Sequence, residues 1–418
     1  MLDIRLIRDE PELVRAALQR RDPALLATVE EIRARDREWR AATTAAESLR
    51  AKQRADSERI AAGKRAGEDV GGLLAGMKEL SAEVKARGEQ AEQARQARDA
   101  LLIKLPNLPD PSAAPGPEDE LVRSVGEPPR FDFQPRDHLD LAGPRIDMDR
   151  AANLSGARFA YLKGELVLLE LALVRWVLEK LLGHGFEPVI PPVLVRERAL
   201  FGTGFLPDTE QQIYELPEDE LYLVGTSEVA LASLHDDEIL DVERLPLRYA
   251  GFSPCFRREA GAAGRDTRGI FRVHQFDKVE MFSFVEPERS AEEHERILAI
   301  EEEILAELGL PYRVVNIAVG DLGGSAAKKY DCEAWMPSQG RYRELTSCSN
   351  TTDYQARRLG IRVRREKRTE ILHTLNGTAV AVGRTLVALL ENGQRDDGGV
   401  ELPACLRAFG APAALGAP

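Results

Sequence analysis

Cysteine is scarce in this chain, and its few cysteines stand far apart. They number four: Cys255, Cys332, Cys348 and Cys405. No two of them form a CxxC pair, so we expect neither a disulfide framework nor a structural zinc site. This pattern favours a reduced, cytoplasmic setting and chemistry that does not depend on zinc.

Long apolar runs and the common nucleotide-binding motifs are also missing. No run approaches the roughly 20 apolar residues that a helix needs to span a bilayer, so we expect no membrane association. The first ten residues, MLDIRLIRDE, carry scattered charges and no apolar stretch, which does not fit a signal peptide. The chain contains no GxxxxGK[ST], and no GxGxxG follows a predicted strand. P-loop and Rossmann sites are therefore disfavoured.

An excess of positive charge is absent as well. The 418 residues have a formal net charge of −13, which argues against indiscriminate binding of nucleic acid. A local basic patch remains compatible with this total. The length is sufficient for a large core and a smaller module, and it predicts two domains.

Residues 1–104 contain few aromatic side chains and repeat apolar residues at a spacing of seven. One ladder consists of Leu25, Ile32, Trp39, Ala46 and Ile60, and a second consists of Leu73, Leu80, Ala94 and Leu101. A break that contains glycine, at 63–72, separates them. Heptads over several turns predict two long helices folded back as an antiparallel coiled-coil arm. The alternative is two ordinary amphipathic helices packed on a globular body.

Residues 105–118 begin with LPNLPDPSAAPGP, whose five prolines predict a linker. Beyond it, over 119–418, short apolar runs, turns and helical stretches alternate irregularly. This favours an α+β catalytic domain with an antiparallel sheet over a doubly wound fold. Strands are predicted at 221–224, 247–258, 271–285, 312–318 and 341–346, and helices at 159–182 and 286–308.

The most informative stretch is FRREAGAAGRDTRGIFRVHQFDKVEMF at 256–282. It predicts two strands joined by a polar, glycine-rich loop. Arg257 and Glu259 are two residues apart and so share a face of the first strand. One face of the second strand would present Arg272, His274, Phe276, Lys278 and Glu280, and its other face Phe271, Val273, Val279 and Met281. The first face gathers cations, a ring and carboxylates, which suit a triphosphate, a base and an amino group.

Three segments resemble the signature motifs of class II aminoacyl-tRNA synthetases, in a context similar to seryl-tRNA synthetases of the bacterial type. They are GFEPVIPPVL at 185–194, the stretch with Arg257 and Glu259, and LNGTAVAVGRTLVALLEN with Arg384. TSE at 226–228 and RELTSCSN at 343–350 stand where seryl enzymes carry similar tracts. The resemblance covers nearly the whole chain, and it is specific because all these motifs occur in order.

The resemblance implies activation of L-serine by ATP and transfer of the seryl group to the 3′-terminal adenosine of serine tRNA. Selenocysteine tRNA is left open as a second acceptor. Such chemistry needs no protein nucleophile, and catalysis depends on positioning and on neutralising phosphate charge. A guanidinium stays charged and can hold two oxygens at once. By resemblance, Arg257 is the catalytic residue at the α-phosphate and Arg384 at the far phosphates.

By resemblance, the ATP site comprises Arg257, Arg258, Glu259, Arg272, Val273, Phe276, Glu344, Leu345, Thr346, Ser347 and Arg384. Phe276 would stack on adenine. Glu344 and Ser347 would hold Mg²⁺, which prefers oxygen ligands. Their spacing of three places them on opposite faces of a regular strand, so the strand must end or bulge near Thr346.

The serine pocket implied by the resemblance comprises Thr226, Ser227, Glu228, Arg257, Glu280, Asn376 and Thr378. A site built to hydrogen-bond a hydroxyl rejects alanine strongly, whereas threonine must be rejected by size. The chain departs from the usual pattern with NGT for NGS, TSE for TAE and RRE for RSE. The added methyl of Thr378 would tighten the pocket. Ser227 and Arg258 alternate out of phase with their motif partners, so their side chains should face away from the substrate.

Near its turn, the arm carries a local excess of basic residues. They are Arg50, Lys52, Arg54, Arg59, Lys64 and Arg65, with only Asp56 and Glu58 between Arg50 and Arg65. Phosphate contacts from such residues give affinity and register but little base specificity. By resemblance, the partner is the long variable arm of serine tRNA. The alternative is a solvated helical face.

Two competing functions remain. An amino-acid-activating paralogue could use another acceptor, such as a carrier protein, but relatives of that kind lack the long arm and use zinc. A non-catalytic RNA-binding coiled-coil dimer would be free to lose Arg257, Glu280, Glu344 or Arg384, and all four are intact.

The resemblance at 185–194 further implies a homodimer, because this motif builds the subunit interface in the class.

Overall fold

The computed structural model describes residues 1–207, 212–260, 266, 268–366 and 368–418. The chain divides into two compact units, Met1–Leu108 and Pro109–Pro418. The division falls inside the proline-rich segment predicted as a linker. Leu105 belongs to an apolar core of the first unit, and Ala113 belongs to one of the second. Within the described residues, no helix is long and apolar enough to cross a bilayer.

The first unit is helical. Its helices are α1 (Ile4–Asp9), α2 (Pro11–Arg21), α3 (Leu25–Ala66) and α4 (Gly71–Leu102). With 42 residues, α3 is about 63 Å long at 1.5 Å per residue. It ends at Gly67, whose φ of 75° is a conformation that glycine adopts without steric cost.

Helices α3 and α4 form the predicted antiparallel coiled-coil hairpin. Ile32, Ala46 and Ile60 of the first heptad ladder are buried. Gln53 fills the rung that lacks an apolar residue, and its side-chain amide donates to the Ser81 hydroxyl of α4 over 2.8 Å. A bond between residues 28 positions apart requires the chain to fold back between them. The coiled-coil prediction is thereby confirmed.

The second unit is α+β, as the sequence predicts. Its helices are α5 (His138–Ala142), α6 (Met148–Ser155), α7 (Glu165–Gly183), α8 (Glu197–Thr203), α9 (Glu228–Ala232), α10 (Ser290–Glu307), α11 (Tyr354–Leu359) and α12 (Val382–Asn392). Its strands are β1 (Glu120–Val125), β2 (Ile146–Asp147), β3 (Tyr161–Leu162), β4 (Glu187–Val189), β5 (Leu194–Val195), β6 (Tyr214–Leu216), β7 (Leu221–Leu223), β8 (Ile239–Asp241), β9 (Leu247–Phe256), β10 (Gln275–Val285), β11 (Tyr312–Asn316), β12 (Lys328–Met336), β13 (Arg341–Thr352), β14 (Arg362–Arg365), β15 (Arg368–Ile371), β16 (His373–Ala381), β17 (Val400–Glu401) and β18 (Ala414–Leu415).

An eight-stranded sheet organises this unit, in the order β1-β11-β12-β13-β16-β10-β9-β4. Every neighbouring pair is antiparallel except β4 and β9. Side chains of α7, α10 and α12 join those of the central strands in the main apolar core, for example Leu173, Ile297 and Leu386 with Met281. One face of the central strands is thus covered by helices, as a sheet of this size requires.

Strand bounds around the informative stretch differ from the prediction. Strand β9 ends at Phe256 and β10 begins only at Gln275, so Arg257, Glu259 and Arg272 lie beyond the strand ends instead of on strand faces. The physical reason lies partly in the backbone of Glu259, whose φ of 51° is left-handed and cannot continue a strand. Residues 261–265 and 267 of the predicted glycine-rich loop lie outside the described residues.

Candidate active site

A cavity of about 560 Å³ opens on the face of the central strands away from α10. Along β16, Asn376 and Thr378 line this cavity. Gly377 between them faces the opposite way, because a Cβ there would lie 2.4 Å from Ile297 of α10. The alternation of a strand therefore assigns one set of side chains to the cavity and the other to the core.

The cavity brings together both predicted groups of site residues. Every residue predicted to bind ATP or serine lines it, except Arg258 and Ser227. Ser227 is buried, and its hydroxyl donates to the carbonyl oxygen of Gly251 over 3.3 Å. Arg258 is exposed, and its backbone N–H donates to the Gln212 carbonyl oxygen over 2.9 Å. Both side chains face away from the cavity, as their phase in the motifs predicts.

One end of the cavity is acidic. The side-chain amide of Asn376 donates to Glu228 over 3.1 Å and to Glu280 over 3.2 Å. Glu280 lies directly opposite Thr378 in the register of β10 and β16, with 3.5 Å between the Thr378 hydroxyl and the carboxylate. Two carboxylates, an amide and a hydroxyl therefore converge on a small polar pocket.

The charge of Glu280 disfavours the ionisation of Glu228. Burial, and secondarily the negative charge of Glu280, raise the pKa of Glu228 to about 7. Gln355 opposes the shift because its amide donates to the Glu228 carboxylate over 2.7 Å. A cation bound between these groups would relieve the repulsion, so the pocket is suited to an ammonium group.

Two residues at the pocket were absent from the predicted site: Lys278, which lines the cavity, and Gln355, which contacts Glu228. The Lys278 ammonium donates to the Thr226 hydroxyl over 2.9 Å and forms an ion pair with Glu280. A signal for Lys278 was present in the sequence, since it shares a strand face with Glu280 at a spacing of two. Gln355 lies on α11, which follows the tract at 343–350 but carries no motif itself, and the fold brings it to Glu228.

The other end of the cavity is rich in guanidinium groups. Nε of Arg257 donates to the Gly225 carbonyl oxygen over 3.1 Å, and its guanidinium carbon lies 5.3 Å from the ring centroid of Phe276. Arg272 forms an ion pair with Glu259 at 2.6 Å. The predicted nucleotide residues thus support one another.

Phe271 was predicted to face the core, and it is buried in the main apolar core while it also lines the cavity. The guanidinium carbons of Arg343 and Arg384 lie 4.2 and 5.0 Å from its ring centroid, distances typical of cation–π contacts. The core prediction is confirmed, but the position of Phe271 at the cavity was not predicted, because Phe271 precedes the first residue of β10 and strand alternation does not reach it. Its ring positions the catalytic candidate Arg384.

A β-bulge brings Glu344 and Ser347 to the same cavity. Thr346 pairs with Cys332, and Glu344 pairs with Glu333, so Leu345 is an extra residue in β13. This is the irregularity near Thr346 that the sequence required. The Glu344 carboxylate lies 3.3 Å from Arg384. Burial opposes its ionisation, but the positive charges of Arg384, Lys329 and Arg257 lower the pKa of Glu344 to about 2.

The basic residues predicted to bind tRNA all lie exposed on α3, in its half nearer the turn. They are Arg50, Lys52, Arg54, Arg59, Lys64 and Arg65. Arg59 pairs with Asp56 at 3.2 Å, one turn away. Their role in binding stays a prediction.

Two family models match the chain. The seryl-tRNA synthetase N-terminal domain matches residues 1–109, and the tRNA synthetase class II core domain (G, H, P, S and T) matches residues 212–393. Among curated relatives, the serine–tRNA ligase of Acidothermus cellulolyticus is 51% identical over 416 residues, which are 98% of each chain. That of Streptomyces coelicolor is 50% identical and covers 98% of this chain and 97% of its own.

Solved structures agree with these matches. The seryl-tRNA synthetase of Pyrococcus horikoshii, complexed with ATP, has a TM-score of 0.96 and 42% identity over the full length of both chains. The cytoplasmic serine–tRNA ligase of Naegleria fowleri, in complex with AMP, has a TM-score of 0.90 and 32% identity over 100% of this chain and 99% of its own. The chain therefore belongs to the seryl-tRNA synthetase family of class II aminoacyl-tRNA synthetases.

Proposed function

We propose that this chain acts as a serine–tRNA ligase. It activates L-serine with ATP to seryl-adenylate and pyrophosphate, and it then transfers the seryl group to the 3′-terminal adenosine of serine tRNA. The observation that carries the proposal is the single cavity that joins an acidic pocket to a cluster of guanidinium groups, in a chain of this family. Such a cavity can hold an amino acid and a triphosphate side by side.

The acidic pocket is proposed to bind serine. Glu228 and Glu280 receive the substrate ammonium, which relieves the repulsion between their charges. Thr226, Asn376 and Thr378 offer polar groups for the substrate hydroxyl, and the extra methyl of Thr378 narrows the space for threonine. A bound alanine would leave these buried polar groups unpaired. Alanine should therefore be rejected more strongly than threonine, which is excluded by size alone.

Activation begins when an oxygen of the serine carboxylate attacks the α-phosphorus of ATP. The bond from that phosphorus to the bridging oxygen breaks, and its electron pair leaves with pyrophosphate. Arg257 neutralises charge on the α-phosphate and Arg384 on the far phosphates. The Gly225 carbonyl and the Phe271 ring hold these two guanidinium groups in place. Phe276 is proposed to stack on adenine, with Glu259 and Arg272 beside the nucleotide.

Magnesium is proposed to bind at Glu344 and Ser347. Their carboxylate and hydroxyl oxygens are the ligands that Mg²⁺ prefers, usually together with substrate phosphates. Both residues line the cavity beside Arg384, which is assigned to the far phosphates. When bound, the ion would add to the charge neutralisation that these arginines supply.

The first unit is proposed to bind serine tRNA through the basic residues of α3. In the second step, a ribose hydroxyl of the terminal adenosine attacks the carbonyl carbon of the adenylate, and AMP leaves.

We place this reaction in the cytoplasm, since Cys255, Cys332 and Cys348 are buried free thiols that suit a reducing compartment.

A homodimer is part of the proposal. Large apolar side chains are exposed on α7 and on the segment that follows it: Leu168, Leu171, Leu182, Ile190 and Leu194. Ile190, in the segment that resembles the class interface motif, is 83% exposed. Several exposed apolar side chains along neighbouring segments are typical of a protein interface, and a second copy of this chain is the proposed occupant.

Serine-dependent exchange of pyrophosphate into ATP, measured against a panel of amino acids, tests the proposed function. We expect exchange with serine alone, and aminoacylation of serine tRNA when it is added. Exchange with serine but no transfer to tRNA would favour the paralogue with another acceptor. No exchange with any amino acid would favour the non-catalytic scaffold.

A further inference from the structure

A buried histidine is bonded to the wall of the active-site cavity without lining the cavity itself. His138 is the first residue of α5, and only 6% of its surface is exposed. It lies outside the motifs in the sequence and outside the set of residues that line the cavity. No step of the proposed reaction uses it, so its hydrogen bonds call for an explanation of their own.

The two ring nitrogens of His138 have different partners. Nε2 accepts a hydrogen bond of 3.1 Å from the backbone N–H of Ile270, which lines the cavity. Nδ1 lies 3.3 Å from a carboxylate oxygen of Glu391. Because Nε2 accepts, the neutral ring carries its proton on Nδ1 and donates it to Glu391. The carboxylate therefore fixes the tautomer in which Nε2 can hold Ile270.

Glu391 is itself held on both sides. It is fully buried, and its second carboxylate oxygen accepts the backbone N–H of Ser338 over 3.0 Å. A buried carboxylate is costly unless it is hydrogen-bonded, and both of its oxygens are. Glu391 lies near the end of α12, the helix whose first turn carries Arg384. His138 thus joins the helix of Arg384 to the segment that contains Ile270.

That segment is shaped to approach His138 closely. A Cβ at Gly269 would lie 2.1 Å from Nε2 of His138, and the φ of Gly269 is 84°. Both the close approach and the backbone conformation require glycine here. The neighbouring Arg268 forms ion pairs with Asp137 at 3.2 Å and with Asp140 at 3.0 Å. The segment is therefore attached to α5 at two consecutive points.

The residue after Ile270 supports the guanidinium groups of the cavity. The ring centroid of Phe271 lies 4.2 Å from the guanidinium carbon of Arg343 and 5.0 Å from that of Arg384. The backbone at Ile270 sets where this ring starts, so a displaced Ile270 would move the surface on which Arg384 rests. Misplacement of a reacting group by about 1 Å can cost ~100-fold in rate. A single backbone hydrogen bond at Ile270 is therefore important for the geometry of the site.

We propose that His138 is a positioning residue for the activation of serine. Through the N–H of Ile270 it holds the ring of Phe271 against Arg384, so that the guanidinium meets the far phosphates of ATP. His138 touches no substrate and transfers no proton. The inference rests on the proposed function, because its readout is the serine-dependent reaction of ATP.

Two substitutions of His138 separate its two hydrogen bonds. In His138→Asn, the amide lies near the position of Nδ1 and is too short to reach Ile270. In His138→Gln, the amide oxygen lies near the position of Nε2 and can accept the N–H of Ile270. Pyrophosphate exchange should show kcat/KM for ATP about tenfold lower for the Asn variant, as the loss of one hydrogen bond predicts. The Gln variant should recover most of this loss.

The KM for serine distinguishes positioning of the nucleotide from general damage. The serine pocket is built from Thr226, Glu228, Glu280, Asn376 and Thr378, none of which contacts His138 through a hydrogen bond. The KM for serine of both His138 variants should therefore stay at the wild-type value. A rise in the KM for serine that matches the loss in kcat/KM for ATP would overturn the proposal.

His235→Asn is the matched control. His235 is also buried, and its ring nitrogens lie 2.8 Å from Glu238 and 2.9 Å from the Tyr249 hydroxyl, but it does not line the cavity. Its replacement should lower the Tm and leave kcat/KM for ATP unchanged. An equal fall in kcat/KM for both Asn variants would show that the effect is a loss of stability, and the proposal would be wrong.

The remaining outcomes separate this inference from the proposed function. A wild-type chain that shows no serine-dependent exchange contradicts the proposed function. An active wild type together with wild-type kcat/KM for ATP in His138→Asn contradicts the inference alone. A Gln variant as impaired as the Asn variant does so too, because the acceptor at Ile270 would then have no effect.

Gly269→Ala tests the same contact if His138→Asn does not fold. It leaves the histidine in place but puts a methyl group where Nε2 lies, so Ile270 must move away from the ring. We expect the same fall in kcat/KM for ATP with an unchanged KM for serine. Wild-type kinetics in this variant would overturn the proposal.

Discussion

The guanidinium of Arg257 lies over the ring of Phe276, with 5.3 Å between the guanidinium carbon and the ring centroid. The ring and the Gly225 carbonyl position the charge before substrate arrives. Arg257→Ala should lower serine-dependent pyrophosphate exchange by at least ~100-fold, the usual scale for losing one charge-stabilising group. Arg258→Ala is the matched control, because that side chain lies outside the cavity. A near-normal rate for Arg257→Ala would show that the motif is misassigned.

The binding of serine should depend on pH near neutrality. Because burial and Glu280 raise the pKa of Glu228 to about 7, Glu228 becomes protonated as the pH falls below that value. The substrate ammonium then loses a partner. The KM for serine in the exchange reaction should therefore fall as the pH rises from about 6 to about 8, and level off above.

Glu228→Gln supplies the control for this pH dependence. The variant keeps the shape of the side chain but cannot ionise, so its KM for serine should be raised and nearly independent of pH over the same range. A wild-type KM that does not change across this range, or a Gln variant that keeps the wild-type profile, would contradict the role of Glu228.

The sequence predicts best what depends on local pattern. The heptads of α3 and α4 extend over many turns, and Gln53 could be recognised as a polar rung because its neighbours on the ladder are apolar. The bulge at Leu345 could be anticipated because Glu344 and Ser347 had to face one cavity. In each case, the informative residues lay within a few positions of one another along the chain.

What the sequence could not predict depends on tertiary contacts. Gln355 reaches Glu228 from a helix with no motif, and Asp36 gathers Arg8 and Arg98 from positions 28 and 62 residues away. Phe271 was correctly assigned to the core, but its contacts with Arg343 and Arg384 could not be predicted from alternation along a strand. Contacts of this kind follow from how the helices and strands pack, which a period-two or period-seven pattern does not contain.

The basic residues near the turn of the arm should matter for tRNA but not for activation. Replacement of Arg50, Lys52 and Arg54 together with Ala removes exposed charges that would contact phosphates. Aminoacylation should weaken, chiefly through a higher KM for tRNA, while serine-dependent exchange, which needs no tRNA, stays close to wild type. Equal loss in both assays would contradict this separation of roles.

Gly377 should tolerate no side chain. A Cβ at this position would lie 2.4 Å from Ile297, 2.9 Å from Glu301 and 3.2 Å from the Cβ of Cys348. These neighbours are buried in the core beneath the active-site strands, so they cannot move aside freely. Gly377→Ala should reduce the free energy of unfolding by about 1–3 kcal/mol, as overpacking does.

Denaturant unfolding followed by circular dichroism measures the effect at Gly377. Gly183→Ala is the matched control, because, apart from its own helix backbone and chain neighbours, no atom of the described residues lies within 4 Å of a Cβ placed at that helical glycine. That variant should be neutral or slightly stabilising. Equal stability of Gly377→Ala and the wild type would mean that β16 and α10 are packed less tightly than these distances indicate.

The exposed apolar face of α7 should hold two copies together. Leu168 is 54% exposed and Leu171 is 56% exposed, and their spacing of three places them on one side of the helix. Introducing a charge at the centre of an apolar interface leaves it buried and unpaired, which is costly. Leu168→Glu combined with Leu171→Glu should therefore convert a dimer into a monomer in size-exclusion chromatography with light scattering.

Leu13→Glu is the control for the dimer prediction. Leu13 is 50% exposed, so the substitution is similar in chemistry and exposure, but Leu13 belongs to α2, which is not part of the proposed interface. It should leave the dimer intact. A monomeric wild type would contradict the proposal directly. A dimer that survives both glutamates would place the interface on another surface, because two buried, unpaired carboxylates in each copy could not be accommodated at an apolar contact.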